Sequence, residues 1–197
     1  MIEHNENIVI VCGMAHSGTT IVTHILRQNP NLNLCVSGHM VHILENDFLR
    51  HADTEAIKKL LTNKKRILLK KPWVECDHKD WLIQNMPNAY YIYCTKNREK
   101  LIDRWGRPDS FVLPSFRKTS RKEKENRYDE CYANALELQS KLKRFMVIEN
   151  KTLIENPAST FKNINNFLDL EHFNYDVSEV SATNSIKTKI NKKLKML

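Results

Sequence analysis

The sequence predicts a three-layer α/β fold around a mainly parallel sheet. Three observations carry that prediction: short apolar runs without polar alternation, helical patterns between them, and a glycine-bearing loop joining the first run to the first helix. The strand-like runs are Ile8–Cys12, Arg66–Lys70, Tyr90–Cys94 and Phe145–Glu149, with a weaker one at Leu32–Val36. Unbroken apolar character over a few residues is what a parallel strand covered on both faces requires.

The helices follow from spacing and stop signals. Ile21, Val22, Ile25 and Leu26 keep helical periodicity until Asn29-Pro30 ends it. Asp77 is placed to cap a helix carrying Trp81, Leu82 and Met86, closed by Pro87. Asn97–Trp105 reads as a solvated helix. Glu123–Arg144 carries Tyr128, Cys131, Tyr132, Ala135, Leu138 and Leu142 on one stripe, the longest helix predicted. Asn156-Pro157 opens another, with Phe161, Ile164 and Leu168 on its apolar side.

Composition narrows the functional classes. The 197 residues suffice for one domain with a buried core. With no repeat or low-complexity linker, residues 1–197 read as one domain with a basic tail at about 183–197. A mean hydropathy of -0.52 and the lack of any apolar run near the ~18 residues of a spanning helix argue against a membrane span. Met1 leads within seven residues into the first strand, so no signal peptide is expected. The five cysteines show no CxxC or zinc-type spacing. Together these predict a reducing, cytoplasmic setting and argue against both a disulfide framework and a structural metal. A net charge of +8 favours an anionic partner.

Ligands of open parallel sheets bind at the carboxyl ends of the strands. Those ends are Gly13–Thr20, Lys70–Trp73, Thr95–Arg98 and Glu149–Lys151, all polar or basic. The first reads Gly-Met-Ala-His-Ser-Gly-Thr-Thr, with two of the chain's four glycines five positions apart between a strand and a helix. This P-loop-like layout lets successive N–H groups converge on a phosphate at a helix N-terminus. A nucleotide triphosphatase has lysine where Thr19 stands, so ATP or GTP hydrolysis is disfavoured.

Gly13-Met14-Ala15-His16-Ser17-Gly18-Thr19-Thr20 resembles the 5′-phosphosulfate-binding loop of the sulfotransferase family, whose donor is 3′-phosphoadenosine 5′-phosphosulfate (PAPS). The resemblance extends over about residues 8–170. It implies that Gly13, Ala15, His16, Ser17, Gly18, Thr19 and Thr20 hold the 5′ end of the donor. His16 stands where relatives carry Lys or Arg. Lys70, at the end of its strand, matches the lysine that stabilises charge on the leaving phosphate. Pro87–Arg98 resembles the 3′-phosphate-binding segment, with Lys96 in place of an arginine and Arg104 in place of a serine. Lysine is a point charge without arginine's bidentate fork, and Arg98 or Arg104 can supply further donors. Phe145–Glu149 with Asn156-Pro157 resembles a later segment, in which Ile148 replaces a tyrosine.

Sulfuryl transfer also needs a base. The segment after the first helix offers His39 first, then Glu45 and His42. No metal is required. The implied acceptor is a hydroxyl or amine on a small molecule or glycan, and the basic stretch Arg117–Arg127 suits an acidic one. The competing readings are a kinase-like nucleotide binder, a sulfotransferase fold without turnover, and a basic nucleic-acid-binding protein. The last lacks any aromatic-interleaved or helix-turn-helix motif.

Overall fold

The computed structural model describes residues 1–36, 45–61, 65–110, 112–171 and 173–178. In chain order the elements are β1 (Ile8–Gly13), α1 (Thr19–Leu26), β2 (Leu32–Leu34), α2 (Asp47–Arg50), α3 (Thr54–Leu60), β3 (Arg66–Lys70), α4 (Val74–Asp77), α5 (Lys79–Asn85), β4 (Tyr90–Thr95), α6 (Arg98–Trp105), α7 (Pro114–Arg117), α8 (Arg121–Lys141), β5 (Phe145–Glu149), α9 (Asn150–Glu155) and α10 (Pro157–Phe167). The five strands pair in the order β2-β3-β1-β4-β5. Every pairing is parallel.

The apolar runs become strands because both faces of the sheet are covered. Ile8, Ile10 and Cys12 enter one core cluster together with Ile67, Leu69, Tyr91 and Tyr93. Val9 and Val11 turn the other way, onto Val22, Ile25 and Phe161. The side-chain period of two is thus present but hidden, since both faces are apolar. β1 lies centrally, and its register sets Val11 beside Lys70 and Gly13 beside Cys94. The carboxyl ends of β1, β3, β4 and β5 therefore share one edge of the sheet.

Several helix boundaries differ from expectation. Asp77 is the last residue of α4 and caps nothing; α5 starts after His78, without a side-chain cap. The Asp77 carboxylate instead pairs with Arg127 at 3.1 Å. α8 begins two residues earlier than predicted because Ser120 and Glu123 form a reciprocal capping box, which satisfies two otherwise orphaned N–H groups. Its stripe buries Tyr128, Cys131, Ala135 and Leu138, while Tyr132 stays 45% exposed.

The expectation of no disulfide is overturned. Cys76 on α4 is bonded to Cys131 on α8, with Cα atoms 5.3 Å apart. The two lie 55 residues apart, so only the packing of α4 on α8 brings them together. Cys12, Cys35 and Cys94 remain free thiols. Among the described residues no helix is long and apolar enough to cross a membrane.

Candidate functional site

The loop after β1 is built by two glycines with different tasks. Gly13 has φ 127°, and a Cβ there would stand 2.2 Å from the carbonyl oxygen of Cys94. Only glycine lets β1 end so close to β4. Gly18 has φ 118°, and a Cβ there would meet the Asn150 side-chain nitrogen at 2.9 Å. Between them His16 adopts the left-handed conformation at φ 71°. The loop thus curls and delivers the chain into α1.

Gly18 occupies the N-cap position of α1 and caps no N–H group by side chain. The first-turn amides are left for another acceptor, and an anion at a helix N-terminus supplies one. Ser17 is fully buried, and its hydroxyl has no hydrogen-bond partner among the described residues. Thr19 is buried and Thr20 exposed. A loop with uncapped amides and an orphaned hydroxyl fits a phosphate or phosphosulfate end.

His16 and Ala15 are steadied by α6 and the chain beyond it. His16 Nε2 lies 2.9 Å from Ser110 Oγ. Trp105 Nε1–H donates to the Ala15 carbonyl at 3.0 Å. These contacts fix the part of the loop that departs from the family pattern.

Lys70 supplies the cation that the loop itself lacks. Its Nζ donates to Thr20 Oγ1 at 2.8 Å, because β3 lies beside β1 in the sheet. Burial lowers its pKa to about 8, opposed by Glu45 and reinforced by Lys71. Glu45 Oε1 sits 4.0 Å from Lys70 Nζ and Glu45 Oε2 3.6 Å from Lys71 Nζ. Of the candidate bases, the described residues include Glu45, beside Lys70. His39 and His42 lie outside the described residues.

Lys96 and Arg104 stand at the two ends of α6. The six steps from Arg98 to Arg104 rise about 9 Å along the helix axis, and Lys96 precedes them. Arg104 Nη1 pairs with Asp109 at 2.7 Å, next to the Ser110 that faces His16. Arg98 forks onto both oxygens of Asp129 at 3.0 Å. Lys96 instead lines a cavity of about 440 Å³ at the ends of β4 and β5, with Tyr93, Arg98, Tyr128, Asn150 and Lys151. Asn150 is shared between that cavity and Gly18. Asn150 falls within the Glu149–Lys151 strand end that the sequence marks, without being named there as a site residue.

The basic stretch is less available than its sequence implies. Arg121 pairs with Asp103 at 2.9 Å and with Glu99 and Glu125. Arg127 pairs with Asp77 and Glu130, and the Lys124 ammonium donates to the Thr119 carbonyl. The tail at 183–197 lies outside the described residues.

No family model matches the sequence, and no curated protein matches it. Solved structures do match in fold. The sulfotransferase domain of the Synechococcus PCC 7002 olefin synthase superposes with a TM-score of 0.64 at 15% identity, over 84% of this chain and 74% of that one. Mouse sulfotransferase SULT7A1, complexed with PAP, gives 0.59 at 14% identity, over 91% of this chain and 64% of that one. Shikimate kinase from Bacteroides thetaiotaomicron gives 0.51 at 10% identity, over 83% of this chain and 98% of that one. The five-stranded parallel sheet with its loop at the end of β1 is the P-loop-like α/β fold, and it is shared with sulfotransferases.

Proposed function

We propose that the chain is a PAPS-dependent sulfotransferase that moves a sulfuryl group to a hydroxyl or amine acceptor. The observation that carries this reading is the Lys70–Thr20 contact. The cation comes from the end of β3 and reaches the loop sideways, whereas a triphosphatase carries its lysine inside the loop. The loop amides, with Ser17, Thr19 and Thr20, hold the 5′ end of the donor. His16 and Lys70 face the oxygens on which negative charge grows as the sulfur–oxygen bond to the phosphate breaks. Glu45 takes the proton that the acceptor loses as its new bond to sulfur forms. Held beside Lys70, Glu45 is close enough to the leaving group to serve the same reaction centre.

The cavity at the ends of β4 and β5 takes the nucleoside part of the donor. Its aromatic rings offer stacking surface, and Lys96 meets the 3′-phosphate. Arg104 joins it only by leaving Asp109, so Lys96 carries most of that recognition.

Calorimetric titration with 3′-phosphoadenosine 5′-phosphate (PAP), against 5′-AMP and ATP–Mg²⁺, tests the reading. PAP binding tighter than AMP binding by about tenfold or more is expected, as a charge-assisted phosphate contact contributes about 1.5–3 kcal/mol. Lys96→Ala should abolish that margin. A preference for ATP–Mg²⁺ would replace this reading by a kinase-like one.

A further inference from the structure

Across the loop from Lys70, the first turn after β3 holds a group that sulfuryl transfer does not use. The Trp73 amide donates to the Gly13 carbonyl at 3.0 Å, and α4 starts at the next residue. Glu75 on α4 is fully buried, yet neither of its carboxyl oxygens has a hydrogen-bond partner of good geometry among the described residues. A carboxyl oxygen of Glu75 and the sulfurs of Cys76 and Cys131 all lie within 4.8 Å of one another. A buried carboxyl without a well-formed hydrogen bond is costly, so its place against a disulfide calls for a reason.

We propose that Cys76 and Cys131 form a thiol–disulfide exchange site in which Glu75 carries the proton to and from Cys131. The two sulfurs differ in access. Cys76 is partly exposed and Cys131 is fully buried. The thiolate of an external dithiol therefore attacks Cys76 Sγ, forming a mixed disulfide and breaking the bond to Cys131. Cys131 leaves into the interior, where burial disfavours a bare thiolate, and takes the proton from the Glu75 carboxyl. The second thiolate of the reagent then attacks its own sulfur in the mixed disulfide. That closes the reagent's disulfide and releases Cys76 as a thiolate, which takes a proton from water. The two electrons come from the dithiol; oxidation by a disulfide runs the same steps backwards, with Glu75 receiving the Cys131 proton.

The setting suits that role. Burial lifts the Glu75 pKa to about 7. Asp77 on its own helix adds to the lift, while its own amide, the Gly13 amide and Arg127 on α8 oppose it. Tyr93 and Cys94 on β4 and Cys12 on β1 also lie in its field. The poorly satisfied carboxyl is then explained: the Glu75 and Gly13 amides meet it with poor geometry, and a cysteine S–H, the further partner, exists only in the reduced protein.

The test uses the full chain with dithiothreitol as the probe, without nucleotide or acceptor, so its outcome is independent of the sulfotransferase reading. Samples are acid-quenched, unfolded and alkylated, and the added mass counts thiols. The expected result is a rise from three alkylated cysteines to five, mapping to Cys76 and Cys131, with native circular dichroism kept and oxidation restoring the start. The rate per dithiothreitol thiolate should fall as pH rises through about 7, because deprotonated Glu75 has no proton to give. Glu75→Gln should flatten that profile and slow exchange by about tenfold below pH 7, at or beneath the low end of general acid effects. Glu75→Asp, which keeps an acid, should retain the pH profile at a reduced rate and serves as the test should the glutamine variant fail to fold. Reduction that occurs only on unfolding, or profiles unchanged in both variants, would reduce the bond to a staple and overturn the proposal.

Discussion

The two flanks of the loop after β1 bury charge in opposite ways. On the Gly18 flank, Lys70 is buried but keeps partners, Thr20 at 2.8 Å and Glu45 at 4.0 Å. On the Gly13 flank, Glu75 is buried beside the Cys76–Cys131 bond, with no hydrogen-bond partner of good geometry among the described residues. Burial moves both toward neutrality, the lysine down to about 8 and the glutamate up to about 7. The difference teaches that one loop can present a paired, chargeable cation to an anion on one side. On the other it buries a carboxyl whose proton is held up to about pH 7.

The comparison breaks most sharply at the glycines. Gly13→Ala drives a Cβ into the Cys94 backbone at 2.2 Å and forces a left-handed φ on alanine. We expect it to unfold the chain or destabilise it by more than about 3 kcal/mol in urea titration. Gly18→Ala meets a movable side chain, Asn150, at 2.9 Å. About 1–3 kcal/mol from the strained backbone should suffice there, with PAP affinity lost while the fold survives. Equal destabilisation of the two variants would remove the asymmetry.

Lys70→Met keeps the length of the side chain and deletes its charge. Under the proposed reaction, turnover should fall about 10²–10³-fold, the scale of losing a preorganised group at developing charge. A change confined to the acceptor's KM would argue against that role.

The smallest effect is the pH profile of PAP binding. Lys70 is an ammonium below its pKa, so affinity should be fully present below about pH 8 and decline as pH rises through it. Because Glu45 holds that pKa up, Glu45→Gln should move the alkaline decline to lower pH, read by calorimetry across pH 6–9 in about half-unit steps. An unmoved profile would mean that the Glu45–Lys70 contact has no electrostatic consequence.

Much of this site is legible from local pattern. Ile8–Cys12 followed by a glycine loop and a periodic helix marks β1, the loop and α1, because burial on both faces and the special φ values act on neighbouring residues. The same holds for the positions of Lys70, which closes β3, and Lys96, which follows β4. Asn150 carries the same signal and was reachable. The Asp77 cap fails for a tertiary reason: Arg127, fifty residues on, offers its carboxylate an ion pair. Arg121 in the basic stretch is committed likewise, since Asp103 and Glu99 on α6 face it across the packed helices.

By itself, then, the sequence determined the parallel sheet, the curl of the loop and which strand ends carry polar groups, since each depends on periodicity, glycine and short-range sterics. Only the tertiary structure decided the pairings. β3 lying beside β1 brings Lys70 to Thr20, and α4 packing on α8 joins Cys76 to Cys131 and closes Glu75 in beside them. Helix packing also commits Arg98 to Asp129, while the turn after α6 commits Arg104 to Asp109. Such contacts depend on which elements become neighbours, and that is set by the burial of whole faces rather than by any residue's local surroundings.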